Sequence, residues 1–362
     1  MHEAPYHVPF RGVPLSETPY LRLIQAASQV VFDDDYYDLI DSDDIETLRR
    51  EVEHNQEALA LARTHLGPNC RIHLVYEANF FADNSPNMQR LRDLARAFAI
   101  EGRLAGFEKR WADVASIGLD LLDLAGATGR GGLLCDHMVG WAISGSGIDL
   151  LRQWRSEYDE ATLSHLLVRI AQLESERDDW NEVLQRDQHW EETVQYPEEP
   201  IDPSTYELPE EEAKKMSQEE ISQYYELVEM VIEMANYQSK LPYSERSNSY
   251  TELENRTVAQ YRLMTLDTAI RKYRWMTGSY PRQLAELIPG ALPALPPDPF
   301  TGTDFIYRPQ WQGIFRRSIQ SFLLYSPGPR QIDHGGSFGP YPLVAAGEAD
   351  LCLDEFDYFP DD

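Results

Sequence analysis

No stretch of the 362-residue sequence approaches the roughly 18 uninterrupted apolar residues that a membrane-spanning helix needs. Positive charge is scarce as well: 32 Lys and Arg stand against 61 Asp and Glu, a net charge of -29. Phosphate recognition depends on Lys and Arg patches that release counterions, so the balance argues against nucleic acid as a partner. It argues equally against anionic lipid surfaces and against direct membrane insertion. What it favours is solubility and long-range attraction of cations or basic protein surfaces. Only Cys70, Cys135 and Cys352 carry thiols. An odd number without any CxxC spacing supplies neither a disulfide framework nor a zinc site. Buried thiols are the simplest reading, with a lone Cys70–Cys135 bridge as the alternative.

Recognised catalytic signatures are missing too. There is no HExxH, no GxSxG, no GxxxxGK[ST] and no EF-hand loop. The sequence therefore implies no cofactor and no enzyme. The opening Met1-His-Glu-Ala-Pro-Tyr-His has no basic region followed by an apolar stretch, as a signal peptide would. A cytoplasmic address is expected if Met1 is the native start. A periplasmic or envelope address is expected if an N-terminal anchor has been removed.

Helical periodicity is what the chain has in quantity. The first 50 residues mix proline with acidic runs and read as an acidic, partly irregular cap. Residues Ile45–Leu66 follow as a helix capped by Asp43 or Asp44. In the stretch Met88–Ala127, Leu91, Leu94, Ala95 and Phe98 recur at i, i+3, i+4 and i+7. Asn84-Ser85-Pro86 offers capping side chains and a helix-start proline for it. After a break near Arg103–Arg110, Trp111, Val114, Ala115, Gly118, Leu122 and Ala125 mark a second face. With Gly102 near the turn, the pair resembles one tetratricopeptide-type hairpin, although no second copy recurs at that family's period. Three more helices are expected at about Leu133–Trp154, Ala161–Glu174 and Asp179–Val194. Residues 1–195 thus read as a helical domain. Residues 196–217 form an acidic linker with four prolines, residues 218–250 a connecting helix, and residues 251–362 a small α+β domain with an acidic-aromatic tail. A long helix runs from about Leu253 to Met276, and strands are expected only beyond Gly278.

The C-terminal segment carries a family likeness. Gly278-Ser-Tyr280-Pro281 is followed by Leu284-Ala-Glu-Leu287, then Asp298-Pro299-Phe300-Thr-Gly302, then Phe322-Leu-Leu-Tyr325-Ser326-Pro-Gly328-Pro329 and Asp333-His334-Gly335-Gly336. This order resembles the globular head of the major pseudopilin of type II secretion over residues 255–336. The helical segments, including Glu57–Ala62, Arg90–Leu104 and Leu241–Arg246, are similar to uncharacterised proteins of planctomycete-type bacteria. Those proteins join a helical domain to a pseudopilin-like tail. The periodicity points to a mainly α chain, a helical bundle or short tetratricopeptide-like solenoid followed by that small α+β domain, and the resemblance implies an envelope-associated, non-catalytic role. Two departures stand out. The apolar helix that assembles pseudopilin filaments is missing, so the chain is not a filament subunit of the usual kind. Heads of this type hold calcium, and here Asp333 is the one carboxylate in place. His334 stands where another Asp is preferred, and Arg330-Gln331 replaces an acidic pair. Calcium takes about six to eight oxygen ligands, which this set does not supply.

Several constellations invite a chemical role. Cys135-Asp136-His137 offers a nucleophile and a base, but residues two apart on a helix face apart; a packed thiol beside a surface pair is the expectation. Gly145-Ser146-Gly147 reads as a close helix contact, and Gly129-Arg-Gly131-Gly132 as a helix-to-helix turn rather than a phosphate loop. Trp141 and Trp154 serve core packing or line a groove for a partner. Phe356, Tyr358 and Phe359 lie among the carboxylates of the tail and are candidates for docking on the chain's own body or on a partner. The expectation is a non-enzymatic protein-interaction or scaffold protein. A hydrolase with carboxylates in a helical groove, and a calcium- or small-ligand-binding module, are the alternatives.

Overall fold

The computed structural model describes residues 18–33, 39, 44–76, 80–194, 241–309, 322–336 and 350–354. Helices dominate, in the order α1 (Pro19–Ala27), α2 (Ile45–Arg63), α3 (Phe80–Phe107), α4 (Trp111–Gly129), α5 (Leu134–Gln153), α6 (Glu160–Ser175), α7 (Trp180–Thr193) and α8 (Tyr243–Thr277). A 3-10 turn (Leu284–Leu287) leads into an antiparallel pair, β1 (Ile306–Pro309) and β2 (Phe322–Tyr325). Ile306 lies opposite Tyr325 in its register. Among the described residues, strands occur only there. The expected linker and most of the connecting helix lie outside the described residues.

Short polar side chains fix where the helices begin. Asp44 accepts from the amides of Glu46 and Thr47 at 3.1 and 3.4 Å. Asp159 accepts from Thr162 at 2.8 Å, and Asp179 from Asn181 at 2.9 Å. Each satisfies amides that the first turn leaves without a partner. Gly278, at φ 80°, ends α8 in the left-handed conformation that costs glycine little. The Asp298–Gly302 turn likewise closes with Gly302 at φ 70°, while Phe300 is only partly buried against the core.

Three local expectations need correction. The region before residue 44 holds a true helix. Thr18 caps α1, Pro19 opens it, and Tyr20, Leu23, Ile24 and Ala27 form one buried face. The Asn84-Ser85-Pro86 segment does not start α3, which begins at Phe80 and carries Pro86 inside it. Asn84 instead turns inward and donates to Asp136 Oδ1 at 2.7 Å, a long-range bond that sequence proximity cannot reveal. Gly102 is not at the hairpin turn either. The turn is Glu108–Arg110, with Lys109 at φ 58°, and Gly102 leaves room for Leu150 of α5, whose Cδ2 would lie 2.2 Å from an added Cβ.

The most extensive helix pair is α4 with α5, and small residues set its spacing. A Cβ at Gly140 would lie 2.8 Å from the carbonyl oxygen of Ala125, and one at Gly147 would lie 2.9 Å from Leu122 Cδ2. Gly145, two residues away, faces open space. Against this pair pack α3 on one side and α6 and α8 on the other. One continuous apolar cluster reaches from Tyr20 in α1 through Leu263, Leu266 and Ile270 of α8 to Phe322 and Leu353. The long helix is thus shared between the bundle and the two-stranded end.

Helix spacing generates a paired prediction. Gly140→Ala pushes a methyl group into backbone and should lower stability by about 1–3 kcal/mol in chemical denaturation. Gly145→Ala meets nothing and should match or exceed the wild type, by up to about 1 kcal/mol of helix propensity. Equal stability of both variants would show that α4 and α5 can part freely.

Candidate functional site

A groove of about 340 Å³ is lined by Arg155, Ser156, Tyr158, Leu163, Arg271, Arg274, Trp275 and Tyr280. Three separate pieces of chain build it. Arg155 comes from the turn after α5, which Tyr158 locks by donating its hydroxyl to the Leu151 carbonyl at 3.2 Å. Arg271, Arg274 and Trp275 occupy the last turns of α8 at helical spacing, where cations also meet the negative end of the helix dipole. Tyr280 follows the Gly278 turn. The indole of Trp275 is 59% exposed at the rim, with Met276 beside it at 55%.

Charge in this groove runs against the rest of the molecule. Asp267 is 2% exposed and pairs with Arg271 at 2.6 Å and with Arg155 at 3.7 Å. Burial acts to raise the Asp267 carboxyl, but Arg271 and Arg155 outweigh it and hold the group below the usual carboxylate range. Arg155, 8% exposed, also donates through Nη2 to both oxygens of Asp354 at 2.7 and 2.9 Å. Its Nη1 is buried without a hydrogen-bond partner, a costly state for a charged donor. Arg274 lies 4.6 Å over the Tyr280 ring and donates to its hydroxyl at 2.5 Å. The groove thus offers guanidinium donors and aromatic faces, the chemistry that recognises carboxylates and rings. It contains no carboxylate placed as a general base among its lining residues.

A second polar cluster lies between α5, α7 and α8. Glu254 of α8 accepts from Arg177 Nη2 at 2.7 and 2.6 Å and from Trp141 Nε1 at 2.8 Å. Asp178 receives Arg186 and the Gly131 amide at 2.7 and 2.8 Å. Beside them His137 is buried, its Nε2 without a partner, facing a cavity of about 20 Å³ with room for nothing larger than a water molecule. Asp136 and His137 are therefore not the surface pair expected. Asp136 accepts from the Leu133 amide at 2.8 Å at the start of α5. The thiols of Cys70 and Cys135 are free, and burial pushes the Cys70 thiol up to about 12 and raises Cys135 further.

Of the residues singled out from the sequence, the described ones, Trp141, Trp154 and Asp333, are not brought together. Trp141 is half-buried, with its ring 5.7 Å from that of Trp180. Trp154 packs on Trp111 at 5.2 Å and sits where Gly106 leaves space for it. Phe356, Tyr358 and Phe359 lie outside the described residues. Asp333 is engaged in the loop after β2: it accepts from the Tyr325 hydroxyl at 2.7 Å, the Gly335 amide at 2.7 Å and Arg308 at 3.0 Å. Those bonds, Tyr325 first, hold its carboxyl below the usual range. Asp350 takes the amides of His334 and Gly336 at 3.2 and 2.7 Å. Among the described residues no three His, Cys, Asp or Glu side chains gather as a metal site. The groove arginines escaped notice because Arg155 and Arg271 are distant in sequence; the one local signal is the Arg271, Arg274, Trp275 spacing at a helix end. No family model, curated protein or solved structure matches this chain.

Two predictions come from these sites. Calcium should stabilise the protein no more than magnesium at equal ionic strength, because Arg308 and Tyr325 already occupy Asp333. A calcium-selective rise in melting temperature that is lost in Asp333→Ala would contradict this. The second concerns pH. Burial lowers His137 from 6.5 to about 4, so the unfolded chain takes up its proton first. The stability linked to His137 is complete above about 6.5 and falls as pH drops toward 4. Burial raises Asp136 from 3.8 to about 6, which makes folding more favourable as pH drops through that interval. The slopes oppose each other. Asp136→Asn should uncover the His137 slope and lose on the order of 3 kcal/mol between pH 7 and 4 relative to wild type, while His137→Gln should shift the slope the other way. Parallel stability–pH curves for all three proteins would refute the assignment.

Proposed function

We propose that this is a non-enzymatic protein-interaction protein whose groove between the α5–α6 turn and the end of α8 captures an acidic, aromatic-bearing segment of a protein partner. The observation that carries the reading is Arg155. In a chain with net charge -29, it is buried at the groove, holds one carboxylate at 2.7 and 2.9 Å, and keeps Nη1 without a partner. Arg274 and the exposed Trp275 extend the same chemistry toward solvent. A buried, pre-oriented guanidinium loses little entropy on binding a carboxylate, and a Trp or Arg at a groove is the usual source of binding energy. The overall negative charge repels acidic proteins at long range, so the groove selects a short segment whose carboxylates match it locally.

The likeness of residues 255–336 to a pseudopilin head supports placing this capture at the cell envelope, with the helical part as the scaffold and the partner supplied by a secretion or surface assembly. The carboxylates that burial raises, Asp120, Asp136, Asp187 and Asp298, all lie outside the groove lining, so the groove favours binding over acid–base chemistry.

A fluorescein-labelled peptide alternating Asp or Glu with Phe or Tyr tests the reading by fluorescence anisotropy. It should bind with salt-sensitive affinity, and Arg274→Glu should weaken it at least about tenfold, the loss of one charge-assisted contact. A matched peptide with Lys in place of the acids should not bind. Binding that ignores both salt and Arg274→Glu would overturn the proposal.

A further inference from the structure

We infer that the groove is one half of a two-part docking surface, whose other half is an apolar shelf made by Met276 and Ile288 that takes a bulky aliphatic side chain of the same acidic partner segment. This rests on the reading of the groove as a site for acidic segments. Exposed large apolar side chains elsewhere stand apart along the chain, as Val31, Met138 and Val168 do, and single ones are ordinary on a protein surface. At the end of α8 they gather. Trp275 and Met276 are both more than half exposed. Ile288, also exposed, follows the buried Leu287 of the 3-10 turn that packs on α8. The chain beyond Ile288 stays close, since a Cβ at Gly290 would lie 3.9 Å from Met276 Cε. Successive helix residues point about 100° apart, so Arg274 faces the groove, Trp275 its rim, and Met276 the far side toward Gly290.

The charge beside the shelf says what kind of segment lies on it. From residue 268 to residue 285 the chain has no Asp or Glu but four basic residues, Arg271, Lys272, Arg274 and Arg282, of which Arg274 and Arg282 are exposed. The next carboxylate, Glu286, is already engaged: its Oε2 accepts from the Tyr273 hydroxyl and from the Arg282 amide, each at 3.1 Å. An apolar shelf bordered by guanidinium groups suits a segment that carries carboxylates beside its apolar anchor, and it disfavours a basic one. Met, Trp and Arg are also residue types enriched where protein surfaces meet, and the unbranched Met276 thioether adapts to the side chain it receives. The width of α8 fixes the spacing. A helix with its side chains is about 10–12 Å across, and an extended segment advances about 3.3 Å per residue. An anchor four or five residues from the carboxylate at Arg274 therefore crosses Trp275 and lands on Met276.

Two fluorescein-labelled peptides separate the halves by anisotropy on the full chain. Both share a core that alternates Asp with Phe and has Asp at each end. One is extended at both ends by a three-residue glycine–serine spacer and two leucines, the other by the same spacer and two serines. The leucine peptide should bind the wild type at least about tenfold more tightly than the serine peptide, the gain from burying one aliphatic side chain. Met276→Ser and Ile288→Ser should each remove most of that gain and leave the affinity of the serine peptide unchanged, which also shows that the variants are folded. Arg274→Glu should weaken both peptides. Equal affinity of the two peptides for the wild type, still sensitive to Arg274→Glu, overturns the shelf and leaves the groove standing. A leucine gain that survives both variants also overturns it. Self-association of the chain in sedimentation, abolished by Met276→Ser, overturns it in favour of a second copy as the occupant. Binding of neither peptide overturns groove and shelf together.

Discussion

The architecture depends on burying the charges of α8 without leaving any alone. Glu254 and Asp267 both lie inside the protein, and an unpaired buried carboxylate would cost several kcal/mol. Each is therefore answered from elsewhere in the bundle or from α8 itself: Glu254 by Arg177 and Trp141, Asp267 by Arg271 and Arg155. These pairs fix the height and rotation of α8 against α5, α6 and α7, while Leu263, Leu266 and Ile270 supply the apolar contact. Apolar packing alone would accept neighbouring registers; the two carboxylates do not.

The same constraint prepares the groove. Asp267 aligns two arginines side by side, so that under the proposed function neither would have to be ordered by an incoming carboxylate. The arrangement separates a structural ion pair, which is dry, from a rim that meets water at Trp275. Glu254 does comparable work at the other end of the contact. There, Arg177 also lies 5.4 Å over the Tyr261 ring, closing the space around His137.

The sequence made the helices readable wherever periodicity and capping acted locally. Asp44, Asp159 and Asp179 stand at helix starts, and Gly278 at a helix end, because the unsatisfied backbone groups there demand those residue types. Where long-range packing decided the matter, local reading failed. Pro86 looked like a helix start, yet Asn84 is held inside by Asp136. Gly102 looked like a turn residue, yet it accommodates Leu150. Asp136 and His137 looked like a surface pair because what encloses them, Asn84 of α3 and the Asp178–Arg186 pair, comes from distant parts of the chain. The groove was the least legible feature. Arg155 is one charged residue after a tryptophan until α8 brings Arg271 and Arg274 beside it.

The position of α8 in the chain has a consequence for the order of events during synthesis. The face of α6 made by Leu163, Leu166 and Ile170, buried in the finished protein, forms long before the ribosome reaches the helix that covers it. At about 5–20 residues per second, the interval between completing α6 and completing α8 is on the order of ten seconds. Through that time the nascent bundle presents an uncovered apolar stripe. The stretch 196–217, translated in the gap, is net acidic in sequence, and such charge opposes association between neighbouring nascent copies until the closing helix arrives.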